Sequence, residues 1–176
     1  MKRQYVERLE VFRLERRGPR AVLRAGTIVM PCRIGRNGAT HDKREGDGAS
    51  PCGSHALRAG YWRGDRRLPP RSGLPLRPLW PDDGWCDATG DRNYNRLVQR
   101  PYPASHEEMC RSDSQYDIVL DIDWNRRIRR QGRGSAIFLH LMNEARTGTA
   151  GCVAVPATHI NRLMAVIGPQ TRLRIR

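Results

Sequence analysis

The chain has 176 residues, enough for one domain with a single hydrophobic core. Hydrophobic residues make up 38% and charged residues 28%, which is typical of a globular protein rather than a disordered one. The formal net charge is +14, and arginine supplies nearly all of the positive charge because Lys2 and Lys43 are the only lysines. Basic residues form no run of five and do not alternate with aromatic residues. The pattern therefore disfavours a dedicated nucleic-acid platform, and we expect no obligatory nucleic-acid partner.

The sequence predicts no transmembrane segment, because no stretch approaches the ~18 apolar residues that a membrane helix requires. Residues 1–20 carry charges without a continuous apolar stretch, so no secretory signal is visible. We therefore expect either a cytoplasmic chain or one from which an export segment is missing. The five cysteines include no C-x-x-C pair, which disfavours a structural zinc site. Buried free thiols are the simplest interpretation for most of them.

The first third of the chain has the pattern of strands joined by glycine-rich turns. Residues 6–15 and 26–34 are predicted strands, and the second is followed by a turn at 35–38. Residues 41–53 are rich in turn-forming residues and are predicted to be a loop. Residues 54–62 are a candidate for the next strand.

The middle of the chain is the least regular part. Residues 64–115 contain most of the prolines, and we interpret them as a long irregular segment with one short helix at 106–109. Loops of this length are often functional walls or lids. Two apolar runs of strand length follow, at 116–123 and 134–141.

The last part of the chain predicts an amphipathic helix and a final strand. Four apolar residues occur at helical spacing: Ile160, Leu163, Met164 and Ile167. Gly168 and Pro169 are typical of the end of such a helix, and 171–175 alternates as a strand would. Six or more strands with one good helix predict a β-rich α+β domain.

The strongest chemical feature is the sequence TAGCVAVP at 149–156. Cys152 follows a glycine, and Gly151 allows a tight turn from which the thiol projects and around which amides converge on an oxyanion. A thiol needs a base to become a nucleophile, and His140 ends the preceding apolar run. We predict that Cys152 is a nucleophile and His140 its base. On spacing alone, a structural cysteine beside a core histidine remains the alternative.

Two other motifs are weaker. The loop EGDGASP at 45–51 lacks the Lys-Ser/Thr ending of a phosphate-binding P-loop. The aspartates at 82, 83, 87 and 91 do not match the spacing of a calcium loop. We therefore interpret the first as a turn and the second as a solvated acidic loop, and cysteine-based acyl transfer itself requires neither a metal nor an organic cofactor.

Three separated motifs carry a resemblance to a known family. They are KREGDGASPCG at 43–53, GSAIFLHL at 134–141 and TAGCVAVP at 149–156. In this order they resemble the L,D-transpeptidase catalytic domain of the YkuD-like type. The stretches 84–98 and 102–109 look like a less characterised branch of that family, which has a TAGC cysteine motif. The resemblance is strongest over 26–176, and we expect the whole chain, 1–176, to be a single catalytic domain.

The resemblance implies a fold and a set of site residues. The expected fold is α+β and β-rich, with a mixed β-sheet core, one main helix in the C-terminal region and the cysteine at the mouth of a groove. Cys152 matches the nucleophile of the family and His140 the histidine that activates it. Gly151 matches the glycine whose neighbourhood supplies oxyanion-binding amides, and Leu141 would orient the imidazole through its backbone carbonyl. We expect His140 to lower the pKa of Cys152, so that the thiol is partly ionised near neutral pH.

The resemblance also implies an activity on peptidoglycan stem peptides through a thioester on Cys152. The acyl group would pass to an amine, as in an L,D-transpeptidase, or to water, as in an L,D-carboxypeptidase. Carbapenem β-lactams would acylate the same cysteine. Ala150 and Ala154 replace a histidine and an Arg or Asn of better-known members, which predicts an altered substrate-facing surface.

The resemblance implies a location in the periplasm or cell envelope, while the lack of a visible signal leaves the cytoplasm open. The alternative function is a non-enzymatic module that binds the cell wall or an anionic polymer such as nucleic acid.

Overall fold

The computed structural model describes residues 4–176, and strands make up most of its regular structure. In chain order the strands are β1 (Arg8–Arg13), β2 (Arg20–Ala25), β3 (Ile28–Arg33), β4 (Ala39–Thr40), β5 (Ser50–Pro51), β6 (Gly53–Trp62), β7 (Leu76–Pro78), β8 (Asp83–Cys86), β9 (Arg96–Gln99), β10 (His106–Glu108), β11 (Ile118–Ile122), β12 (Phe138–Leu141), β13 (Val153–Val155) and β14 (Arg172–Ile175). The helix α1 spans Ala157–Ala165, and a 3-10 turn spans Ser114–Tyr116. Across residues 4–176, no helix combines the length and the apolar character needed to cross a bilayer.

The main sheet has nine strands in the order β11-β12-β13-β3-β2-β1-β14-β6-β7. It is mixed, because β1 runs parallel to β14 and β12 parallel to β13, while β2 is antiparallel to both of its neighbours. Strand β11 also pairs with β6, so the sheet returns on itself and encloses a barrel-like core. This arrangement agrees with the predicted β-rich fold with a mixed sheet and one helix.

Alternating apolar residues explain how the strands cover this core. In β2 every second residue is buried, beginning with Ala21, because successive side chains point to opposite faces of a strand. Helix α1 buries the apolar stripe that its sequence predicts, and Ile160, Leu163 and Met164 are fully inaccessible to solvent. Full burial of each such side chain contributes about 1.5–3 kcal/mol to stability.

A second, smaller sheet covers one side of the barrel and lies within the segment 64–115, most of which is irregular as predicted. It contains three strands in the order β10-β8-β9. The predicted helix at 106–109 is wrong, because His106–Glu108 form β10 and pair with Gly84–Cys86 of β8. Local polarity favours a helix start there, but the backbone hydrogen bonds of a neighbouring strand outweigh that local preference.

Five predicted strands lie where the pattern placed them, within one or two residues at most ends, as β1, β3, β6, β11 and β14. Strand β12 is shorter than the predicted 134–141, since it begins at Phe138. Strand β2 is not among the predicted strands, although its alternation is regular. Under the small sheet lies a second buried cluster, which includes Trp85, Tyr116, Phe138 and Cys152. The predicted nucleophile therefore sits where the barrel meets the small sheet.

Candidate active site

Cys152 and His140 face the same side of the main sheet. His140 lies opposite Ala154 in the parallel pair of β12 and β13, and Cys152 precedes Ala154 by two positions. Because alternate residues of a strand share a face, both side chains project in one direction. They line the same cavity of about 210 Å³, and each is buried. The structure thus brings the two predicted catalytic residues to one site.

The sulfur of Cys152 is held by the backbone that leads into β12. The thiol is placed to donate to the carbonyl oxygen of Ala136, at 3.2 Å. The backbone N–H of Phe138 donates to the sulfur at 3.3 Å. Among the described residues, the hydrogen bonds of the sulfur go to this backbone and none joins it to His140. Catalytic hydrogen bonds are often loose until substrate binds, so this geometry is compatible with a base that acts once the cavity is filled.

The imidazole of His140 is oriented by its own strand. Its Nδ1 lies 2.8 Å from the carbonyl oxygen of Leu141, the atom that the resemblance implies for this contact. If Nδ1 donates to that carbonyl, Nε2 keeps its lone pair and is the basic nitrogen. The ring of Tyr116 packs edge-on against the imidazole, with 5.3 Å between the centroids. Burial lowers the pKa of His140 to about 4, so the ring is neutral at neutral pH.

Burial also determines the charge of the nucleophile. It raises the pKa of Cys152 to about 12, an effect that the Phe138 N–H and the ammonium of Lys43 oppose and that Glu107 reinforces. The expectation of a partly ionised thiol near neutral pH is therefore wrong for the unliganded protein. The physical reason is that burial disfavours the charged form of each group, the thiolate of Cys152 and the imidazolium of His140. The resting pair is a neutral thiol and a neutral imidazole.

The cysteine loop is fixed by a set of short polar contacts. The hydroxyl of Thr149 donates to the carbonyl of Cys152 at 2.7 Å and accepts from the N–H of Gly151 at 3.1 Å. The hydroxyl of Ser50 donates to the carbonyl of Gly151 at 2.7 Å. Gly151 has a φ of +144°, and a Cβ there would lie 2.9 Å from the carbonyl oxygen of Ala49. Only glycine fits this turn without strain.

The predicted oxyanion role of the amides near Gly151 stays a prediction. In the unliganded protein the N–H of Gly151 is already bonded to Thr149, so it would have to exchange that partner for an oxyanion.

Charged residues that the sequence did not single out line the same cavity. Lys43 is 1% exposed, and its Nζ donates to Asp47 at 2.5 Å and to the carbonyl of Arg44 at 2.8 Å. Glu107 accepts from the hydroxyl of Tyr116 at 3.2 Å. Burial raises the pKa of the Glu107 carboxyl. The sequence does contain one indication that Lys43 has a special role, because it is one of two lysines in an arginine-rich chain.

Two further cations, Arg111 and Arg146, and two further carboxyl side chains, Glu45 and Asp87, also line the cavity. The cavity thus offers both positive charge and carboxyl groups at several positions. Within residues 4–176, no three His, Cys, Asp or Glu side chains come together as metal ligands would. In the acidic segment, Asp83 is bonded to Arg77 and to the N–H of Trp80, and Asp91 accepts from Tyr102.

The barrel-like sheet and the cavity define a class, that of β-rich domains with a cysteine and a histidine lining one cavity. In comparisons with known proteins, the family model described as YkuD, the L,D-transpeptidase catalytic domain, matches residues 15–175. The chain therefore belongs to the YkuD family of L,D-transpeptidase catalytic domains, which implies L,D-transpeptidase-type activity and a peptidoglycan substrate. No curated protein and no solved structure matched the chain in the same comparisons.

Proposed function

We propose that the protein transfers the acyl group of a peptidoglycan stem peptide through a thioester on Cys152, with His140 as general base. One observation carries the proposal, namely that His140 of β12 and Cys152, directly before the parallel strand β13, line one cavity. The donor would be a stem peptide whose diamino-acid residue is followed by a terminal D-amino acid. The location of the substrate makes the cell envelope the site of action in this proposal.

The reaction begins from a neutral pair. As the sulfur of Cys152 attacks the carbonyl carbon, Nε2 of His140 takes the thiol proton, so charge develops only in the transition state. The N–H of Phe138 donates a hydrogen bond to the sulfur, and together with the ammonium of Lys43 it favours negative charge on that atom. Collapse of the tetrahedral intermediate breaks the C–N bond, and the imidazolium returns its proton to the departing amino group. A thioester and a free terminal D-amino acid result.

The second half repeats the chemistry with a new nucleophile. An amine of a second stem peptide attacks the thioester, His140 accepts a proton from it, and the proton passes to the departing sulfur. Water in place of the amine would give hydrolysis, the L,D-carboxypeptidase outcome. Transpeptidation and hydrolysis use the same residues. Whether an amine or water accepts the acyl group therefore depends on which of them the cavity binds beside the thioester.

The charges of the cavity support a substrate that carries both signs. Lys43, Arg111 and Arg146 suit the carboxylates of a stem peptide. An ammonium group is suited by the carboxyl side chains of Glu45, Asp87 and Glu107. A diamino acid with its own carboxylate combines these groups in one residue.

The test is incubation of the protein with purified stem tetrapeptides, followed by mass spectrometry of the products. A cross-linked dimer with loss of the terminal residue would support transpeptidation, and a tripeptide alone would support the carboxypeptidase. The variant Cys152→Ala serves as the control and should give neither product. Unchanged peptides that bind the wild-type protein would contradict the proposal and favour the non-enzymatic binding module.

A further inference from the structure

The side chain of Asn95 makes every hydrogen bond that an amide can make. It lies between β8 and β9 and is 1% exposed. Its Oδ1 accepts from Nε1 of Trp85 at 3.0 Å and from the N–H of Ala136 at 3.2 Å. Its Nδ2 donates to the carbonyl oxygens of Trp124 at 3.1 Å and Asn125 at 3.0 Å. An amide has two lone pairs and two N–H groups, so its capacity is fully used.

The backbone of Asn95 is fixed as firmly as its side chain. Its N–H donates to the carbonyl of Cys86 at 2.8 Å, and the guanidinium of Arg126 donates to its carbonyl. Its φ is +58°, a left-handed conformation that asparagine adopts more readily than most residues. Asn95 therefore joins the small sheet, the segment after β11 and the segment before β12.

The bond to Ala136 leads directly to the nucleophile. Ala136 has a φ of +51°, and a left-handed conformation costs a residue with a Cβ roughly 1–2 kcal/mol. Its surroundings must hold it there, and its N–H is held by Asn95. Its carbonyl accepts from the Cys152 thiol at 3.2 Å, and the Phe138 N–H two residues on donates to the sulfur. Asn95 thus holds the N–H of the same residue whose carbonyl the sulfur contacts.

We propose that Asn95 is a positioning residue for Cys152, acting through the left-handed backbone of Ala136. The inference rests on the proposed function of Cys152 as a nucleophile. Asn95 lies behind the cavity wall, which Ala136 and Cys152 line, so it acts without touching substrate. Without its Oδ1, Ala136 relaxes toward an ordinary backbone conformation and turns its carbonyl away from the sulfur. The thiol then spends less time in the geometry of attack.

Two substitutions separate positioning from general support of the loops. Asn95→Gly removes the side chain but accepts the φ of +58° without strain. Asn95→Asp keeps an oxygen at the Oδ1 position. Because a buried carboxyl stays protonated, it donates one hydrogen bond where the amide of asparagine donates two. Both variants weaken the contacts to Trp124 and Asn125, but only the glycine variant loses the acceptor of the Ala136 N–H.

The experiment measures acylation of Cys152 by a carbapenem, with its maximal rate and its half-saturating concentration obtained separately by intact-protein mass spectrometry. We expect Asn95→Gly to lower the maximal rate about tenfold or more, with the half-saturating concentration changed less than about twofold. We expect Asn95→Asp to recover the rate to within about threefold of wild type. Amide exchange at Ala136 should be fast in Asn95→Gly and slow in Asn95→Asp.

A wild-type rate in Asn95→Gly would overturn the inference, and so would a folded Asn95→Asp that is as slow as Asn95→Gly. If Asn95→Gly fails to fold, as judged by circular dichroism, Asn95→Asp decides the question alone. A folded aspartate variant that acylates about tenfold slower than wild type then overturns the inference. Failure of the wild-type protein itself to be acylated would contradict the proposed function and this inference with it, whereas a normal adduct in every variant contradicts this inference alone.

Discussion

The backbone N–H of Phe138 lies 3.3 Å from the sulfur of Cys152, while the carbonyl of Ala136 lies 3.2 Å from the same sulfur. The sulfur is thus placed between a donor and an acceptor of one strand segment. The acceptor favours the neutral thiol and the donor favours the thiolate, so the same segment can serve both states as the proton leaves.

The ionisation of Cys152 gives the first prediction. Since burial raises its pKa to about 12, the thiolate fraction should rise about tenfold for each pH unit between pH 7 and 9. The alkylation rate by iodoacetamide should follow this rise, as measured by peptide mapping of the Cys152 peptide. A plateau between pH 7 and 8 would contradict the neutral pair and indicate a thiolate–imidazolium pair. Cys152→Ala provides the control for assignment of the adduct.

The second prediction concerns His140 as the base. His140→Ala should lower acylation of Cys152 by a carbapenem roughly 10²- to 10⁴-fold, the usual contribution of a positioned general base. The measurement is the rate of adduct formation in the intact protein at pH 7. Tyr116→Phe is a matched control, because it keeps the ring that packs on the imidazole and removes only the hydroxyl bonded to Glu107. An adduct that forms equally fast in His140→Ala would show that another group takes the proton.

The third prediction links His140 to acid stability. The ordinary pKa of histidine is 6.5, and in the folded protein it is about 4. Because the folded pKa is the lower one, the unfolded chain binds the proton first as the pH falls. The contribution to stability is fully present above pH 6.5 and is lost progressively toward pH 4, by roughly 3 kcal/mol in all. His140→Gln should lose less stability over that range, as measured by urea unfolding at several pH values. Equal losses in both proteins would contradict the prediction.

The cysteine–histidine pair could be predicted because its information is local. Cys152 lies in one short motif, His140 ends one apolar run, and their strands are neighbours. The ionisation of the pair could not be predicted, since it depends on how completely the small sheet and Tyr116 exclude water. The sequence shows that a cysteine and a histidine are present but not how deeply they are buried.

The supporting residues depend on contacts that are distant along the chain. Asn95 forms a hydrogen bond with Ala136, 41 positions further along the chain, and no periodicity in either segment predicts that contact. Likewise β10 exists because Glu107 lies opposite Trp85, a pairing that a local pattern cannot show. Strand β2 is a different case, because its alternation is visible in the sequence, although charged residues surround it.

The last prediction concerns the turn at Gly151. Gly151→Ala should be destabilising for two reasons, since its φ of +144° is unfavourable for alanine and the new Cβ would lie 2.9 Å from the Ala49 carbonyl. Gly90→Ala is a matched control, because Gly90 also has a positive φ, +96°, but nothing lies within 4 Å of a Cβ there. Backbone strain alone costs about 1 kcal/mol in the control, whereas strain and overlap together should cost about 2–4 kcal/mol at Gly151.

Thermal unfolding of the two variants measures this difference directly. The melting temperature should fall by several degrees more in Gly151→Ala than in Gly90→Ala. Acylation of Cys152 should also slow in Gly151→Ala, because the contacts of Thr149 and Ser50 with the cysteine loop must shift to make room. Equal melting temperatures in the two variants would mean that the loop 43–51 moves away without cost. In that case, the packing of loop 43–51 against Gly151 would not be the contact that positions Cys152.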